Sequence, residues 1–165
     1  MYDTSDKWTK IVNLLKAQKL TIATMESCTG GGIANEITNI SGASSVLKES
    51  FVTYCNEAKI KQGVPKEVIE TYTVYSQETA IAMAKAVINQ ADSDIAIGIT
   101  GQLGRIDPNN PSDKVNCVWY AIIDTSNNLV VQQVNVPNVE RKYQKEFVIN
   151  SVATMLLEFL GFIDC

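Results

Sequence analysis

Apolar residues recur at helical spacing between Asp6 and Gln18, where Trp8, Ile11, Val12, Leu14 and Leu15 share one side and predict an amphipathic helix. Leu20 to Met25 is short, apolar and rich in β-branched residues, which predicts a strand. A small-residue turn follows at Glu26-Ser27-Cys28-Thr29-Gly30-Gly31-Gly32, then a helix from about Gly31 to Thr38. Ser41 to Ser45 reads as a loop, and the alternation in Ser50 to Tyr54 predicts a second strand. Asn56 to Gln62 is read as a helix opened by an Asn cap, and Pro65 to Tyr72 as a short helix with proline at its opening. Ser76-x-x-Thr79 opens a longer helix to about Asn89. Asp94 to Thr100 is a buried-type strand, and Gly101 to Asn116 a polar loop. Cys117 to Asp124 and Leu129 to Val136 form a hairpin across Thr125 to Asn128, and Val139 to Leu160 is a last helix. Strands alternating with helices, plus one hairpin, predict a three-layer α/β/α sandwich with a mixed sheet, one domain over residues 1–165.

Composition narrows the chemistry more than the fold. At 165 residues, 45% hydrophobic and 19% charged, the chain is ordinary globular material. A domain of this size buries roughly 68–70% of its unfolded surface, so it needs no disulfide or metal staple. The formal charge of −4 carries no basic stripe, which argues against direct nucleic-acid binding. No apolar run reaches membrane-spanning length and the first ten residues contain no apolar signal core, so a cytoplasmic protein is expected. The four cysteines form no C-x-x-C and are read as reduced thiols. Histidine is absent, which excludes Ser–His–Asp and Cys–His hydrolysis and His-ligated zinc. The acidic residues show no metal-ligand spacing, and no required metal or cofactor is expected.

The strongest chemical candidate is the turn at Ser27. A strand end followed by serine and three glycines brings a nucleophile to a helix N-terminus, where free N–H groups can hold a developing oxyanion. A plain helix cap satisfies the same pattern. A serine nucleophile needs a base, and without histidine that base is Lys, Tyr, Asp or Glu. Tyr54-Cys55-Asn56-Glu57-Ala58-Lys59 supplies candidates: a lysine in an apolar cleft loses the solvation of its charged form and becomes basic near neutrality, with Tyr54 as a hydrogen-bonding aid. A solvated helix lysine is the alternative for Lys59, and Cys28 is the rival nucleophile. Two further matches are weaker. Ser45-Val46-Leu47-Lys48 fits S-x-x-K without the partner motifs, and is read as chance. Gly98 to Gly104 is glycine-spaced after a buried strand, where α/β sheets bind ligands, but lacks a phosphate-loop lysine.

Together, Glu26 to Gly31, Phe51 to Lys59, Gly63-Val64-Pro65, Val74 to Ala80, Ile99-Thr100-Gly101 and Arg141 at the opening of the last helix resemble the CinA C-terminal domain family over nearly the whole chain. The resemblance implies an α/β/α sandwich in its standalone form. It also implies an amidohydrolase that converts nicotinamide mononucleotide to nicotinate mononucleotide and ammonia. It makes Ser27 the nucleophile and Lys59 its activator, with Tyr54 and Asn56 beside them. Thr29, Gly30 and Gly31 become the amide-presenting loop, Thr100 and Gly101 the second loop, and Arg141 the phosphate partner. The partner implied is a small nucleotide, and a homo-oligomer is expected. Residues 102–116 depart from the family pattern: its Gly-Pro-x-Gly-Gly core is replaced by Gln102 to Asn110. Arg105 in that stretch is an added candidate for a phosphate contact. The departure also opens alternatives: a nucleotide-binding module that has lost catalysis, or a competence-related interaction protein.

Overall fold

The computed structural model describes residues 5–162. Its elements are α1 (Ser5–Gln18), β1 (Ile22–Glu26), α2 (Gly32–Thr38), a 3-10 turn (Ala43–Ser45), β2 (Leu47–Val52), α3 (Asn56–Lys61), α4 (Lys66–Tyr72), α5 (Gln77–Ala91), β3 (Ile95–Gln102), β4 (Cys117–Asp124), β5 (Leu129–Asn135) and α6 (Arg141–Phe159). The sheet runs β2-β1-β3-β4-β5. β1 is parallel to both β2 and β3, and β3, β4 and β5 are antiparallel in turn. This is the expected mixed α/β sheet between helical layers.

The two faces of the sheet carry different side chains, and that decides how the helices sit. Ile22, Ile95, Ile97, Ile99, Val118, Tyr120 and Ile122 face one side, where Trp8, Ile11, Val12 and Leu15 of α1, Ile33 and Ile37 of α2, and Val148, Val152 and Leu156 of α6 complete a core. The other face carries Ala23, Ala96 and Ala121, against Ala80, Met83, Ala84 and Val87 of α5. Small residues there let α5 approach closely. Gly98 is the extreme case: a Cβ at that position would run into the Ala80 carbonyl and Ala84 amide. The glycine spacing after residue 98 therefore reflects helix–sheet packing at its first member, not a phosphate loop.

Several boundaries differ from expectation. The second strand is Leu47–Val52, three residues earlier than the alternating stretch predicts. It is an edge strand with Lys48 and Glu49 exposed, so apolar pattern marks only its second half. β3 extends through Gly101 and Gln102, which pair with Val118 and Cys117; these residues leave the predicted loop because β4 continues the ladder beside them. Asn56 does not cap α3. Cys55 occupies the cap position without a side-chain bond, and Asn56 is the first helical residue, its amide turned to Asn110. Ser76 does cap α5, accepting from the Thr79 amide at 3.1 Å. Ser45 of the S-x-x-K match bonds the Gly42 carbonyl in its own turn. Cys28, Cys55 and Cys117 are free thiols; Cys165 lies outside the described residues. Among the described residues no helix is long and apolar enough to cross a membrane, and no cluster of His, Cys, Asp and Glu could hold a metal ion.

Candidate active site

The carboxyl ends of the three parallel strands meet at one place. Ser27 follows β1, Thr53 follows β2, and β3 ends at Gln102. The strand order 2-1-3 reverses direction here, where open α/β sheets form a ligand crevice.

Ser27 is 7% exposed and is held by the turn that follows it. Gly30 and Gly31 have φ of +63° and +87°, a backbone conformation that a side chain strains. The Gly30 amide donates to the Ser27 carbonyl at 3.0 Å, and the Gly32 amide to the Thr29 carbonyl at 3.2 Å. Below the turn lies Glu26, fully buried. One of its oxygens accepts from the Thr29 hydroxyl at 2.6 Å and the Ile33 amide at 3.1 Å. The other accepts from the Ala34 amide at 3.0 Å and the Thr24 hydroxyl at 3.4 Å. A carboxylate thus closes the start of α2 from within the chain, as charge and unpaired amides at a helix start require. This changes the reading of Thr29 to Gly31. Thr29 spends its hydroxyl on Glu26, and Gly30 spends its amide on the turn itself. Neither these two nor Gly31 lines the cavity around Ser27.

Lys59 sits in the short helix α3 yet is only 1% exposed. The solvated-lysine alternative is therefore excluded. Its Nζ lies 3.1 Å from Ser27 Oγ and donates to the Thr53 carbonyl at 2.7 Å. Burial disfavours the ammonium and lowers the Lys59 pKa to about 8. Cys28 goes the other way. Burial, reinforced by the Glu26 carboxylate, pushes its thiol up to about 12, so it stays protonated at neutral pH. A buried thiol of that kind is inert, which removes it as the rival nucleophile.

A cavity of about 910 Å³ opens beside the pair. Its walls include Ser27, Tyr54, Asn56, Gly101, Arg105 and Arg141. Tyr54 is 62% exposed, and its hydroxyl accepts from Arg141 Nη2 at 2.9 Å instead of meeting Ser27 or Lys59. Arg141 also donates through Nη1 to the Leu103 carbonyl at 2.6 Å, which fixes its guanidinium at the cavity edge. Arg105 is exposed at the rim. Thr100 is fully buried and donates to the Val74 carbonyl at 2.8 Å, on the α5 side of the sheet, so it does not reach the cavity. The structure gathers seven of the sequence candidates at one site: Ser27, Lys59, Tyr54, Asn56, Gly101, Arg105 and Arg141. Thr29, Gly30, Gly31 and Thr100 support its frame.

The model of the CinA C-terminal domain matches residues 5–160. The chain belongs to the CinA C-terminal domain family. A CinA-like protein of Kosmotoga olearia is 47% identical over 95 residues, covering 57% of this chain and 23% of that protein. The chain spans about a quarter to a third of the length of the curated relatives it matches. Among solved structures, the competence/damage inducible protein CihA from Agrobacterium tumefaciens superposes with a TM-score of 0.88 at 28% identity, covering 98% of this chain and 97% of that one. The CinA superfamily protein KP700603 from Klebsiella pneumoniae gives 0.89 at 22% identity over 98% and 100%, a likeness of fold alone.

Within this CinA domain, sequence reasoning assigns no role to Glu26, Thr53, Tyr75 or Asp107. Glu26 has a legible signal: a carboxylate directly before a glycine turn and a helix start. Thr53 contributes only its carbonyl, which no residue type announces. Tyr75 and Asp107 are 32 residues apart and meet only in the fold.

Proposed function

We propose that this chain hydrolyses a carboxamide carried on a nucleotide, and specifically that it deamidates nicotinamide mononucleotide. The observation that carries the proposal is the buried Ser27–Lys59 pair, 3.1 Å apart, with an amine that is partly neutral near physiological pH. The neutral Lys59 amine accepts the Ser27 hydroxyl proton as Oγ bonds the carboxamide carbon. The Thr53 carbonyl holds one amine N–H and so aims the lone pair. The oxyanion forms at the turn after β1, where Cys28 lines the cavity beside Ser27. As the intermediate collapses, the C–N bond breaks and the proton on Lys59 goes to the leaving nitrogen, releasing ammonia. Water, deprotonated in turn by Lys59, cleaves the Ser27 ester to give the carboxylate and restore the serine. Arg141, with Arg105 at the rim, suits the phosphate, because a planar guanidinium pairs with two phosphate oxygens. Nothing in this sequence of steps needs a metal or cofactor. On this reading the protein acts in the cytoplasm on a small nucleotide, without nucleic acid, and an oligomeric assembly is compatible with it.

The test is ammonia release from nicotinamide mononucleotide by wild type and Ser27→Ala side by side. Release by wild type alone is the expected result. Equal release by both would remove Ser27 from the mechanism. Binding of the nucleotide without release by either would favour a second reading, a binding module, which the divergent segment 102–116 on the cavity wall makes worth separating.

A further inference from the structure

One wall of the Ser27 cavity is held by one connected chain of polar groups. Asp107 lies five residues beyond the end of β3 and is its centre. Oδ2 accepts from the Tyr75 hydroxyl at 2.7 Å and from Asn110 Nδ2 at 3.0 Å, and Oδ1 accepts from the Asn109 amide at 2.9 Å. The Asp107 amide donates to Gln102 Oε1 at 2.8 Å. Asn110 Oδ1 then accepts from Asn56 Nδ2 at 2.7 Å, and Asn56 opens the helix that carries Lys59. The chain joins the end of β3, the segment before α5, the loop itself and the start of α3. Asn56, Tyr75, Gln102, Asp107 and Asn110 all line the Ser27 cavity. Asn56, Tyr75 and Asn110 also line a neighbouring cavity of about 820 Å³, so the loop is a partition between two spaces.

We propose that Asp107 is a positioning residue for the Ser27–Lys59 pair, locking the loop against Tyr75 and, through Asn110, against the start of the Lys59 helix. Its ionised form alone accepts all three bonds without supplying a proton, and those bonds hold its carboxyl below the usual carboxylate range. Its charge also reaches the catalytic amine. Burial lowers the Lys59 proton affinity, while Cys28, Cys55 and Asp107 oppose that effect. Glu57, Arg105 and Arg141 are the other charged groups lining the cavity. Cys28 remains a neutral thiol, so Asp107 brings a formal negative charge to this balance. Asp107 thus holds the shape of the partition and adds a charge that favours the proton on Lys59, against the larger effect of burial.

The proposal takes its meaning from the Ser27–Lys59 reading, but its readouts need no turnover. Two are used: the NMR titration of the Lys59 side chain and hydrogen exchange of the amides of residues 103–112, in wild type, Asp107→Asn and Tyr75→Phe. Asp107→Asn is expected to speed loop exchange by about tenfold, the loss of one charge-assisted hydrogen bond, and to move the Lys59 midpoint below its starting value of about 8. Tyr75→Phe keeps the charge and removes one anchor, so loop exchange rises while the midpoint stays in place. Unchanged exchange or an unchanged midpoint in Asp107→Asn overturns the proposal. Should Asp107→Asn fail to fold, Tyr75→Phe decides: unchanged loop exchange overturns it there too. Expected shifts without ammonia release would count against amide hydrolysis alone. Release with unmoved readouts would count against Asp107 alone.

Discussion

Two walls of the same cavity are each organised by one carboxylate, and they differ in burial. At the turn after β1, Glu26 is fully buried and gathers two hydroxyls and two amides. At the other wall, Asp107 is only half-buried and gathers one phenol, one side-chain amide and one backbone amide. In a low-dielectric interior each of these bonds is electrostatically stronger, and each broken one leaves a group that water cannot reach. The Glu26 wall therefore has one arrangement, and Ser27 inherits its fixed position. The Asp107 wall is built the same way but at the surface, where solvent competes for every partner. The same chemical device gives a rigid mount in one place and an adjustable partition in the other.

The largest expected effect tests the mount's purpose. Ser27→Ala should lower amide turnover by at least about a thousandfold, measured as ammonia release. Its fold should survive, since Ser27 contributes no core packing.

Next comes the contrast itself. Glu26→Gln places its NH2, whichever way it is turned, against a backbone amide that only donates, that of Ile33 or Ala34, and should cost about 2–3 kcal/mol of stability in denaturant unfolding. Asp107→Asn, with solvent available to its partners, should cost about 1 kcal/mol, clearly less than the Glu26 variant. Equal losses would break the comparison between the two walls.

The pH dependence sharpens it further. On the proposed mechanism Lys59 works as the neutral amine, so kcat/KM should rise with pH through about 8 and level off above it. A flat profile between pH 6 and 9 would be incompatible with Lys59 as base. Stability follows from the same shift. The unfolded chain holds the lysine proton up to about 10.5, and the folded chain loses it near 8. The Lys59 contribution to stability therefore rises with pH across that window. Lys59→Met has no proton to bind, so its stability difference from wild type should change in that window and not below pH 7. Paired thermal melts measure it.

The smallest effect concerns the exposed pair at the rim. Tyr54→Phe removes the acceptor for one Arg141 bond but leaves the Leu103 contact. Turnover should fall no more than about tenfold, the scale of one net hydrogen bond. A loss as large as that of Ser27→Ala would make Tyr54 a participant in proton transfer.

The chain order of elements and the mixed sheet were legible in the sequence, because buried strands such as Ile95–Gln102 and amphipathic helices such as Ser5–Gln18 carry their own hydrophobic period. Ser27 and Lys59 were legible as candidates, because serine before glycines at a strand end is a local pattern and a chain without histidine turns the search for a base to the lysine at the next strand-to-helix junction. β2 was misplaced because an edge strand with one solvated side shows half a pattern. The resemblance places Thr100 with Gly101 in the second loop of the cavity, yet successive strand residues face opposite sides, and its hydroxyl donates to the Val74 carbonyl.

The sequence by itself determined most of the elements and the absence of any imidazole, and offered Ser27 and Lys59 as candidates to which the family resemblance gave roles. Elements and composition depend on short-range pattern. Tertiary structure alone decided that Lys59 is out of water, that its amine meets Ser27 across 32 residues, and that Glu26 and Asp107 brace two walls of one cavity. Burial and long-range contact are properties of what packs over a residue, and no window of the chain contains that information.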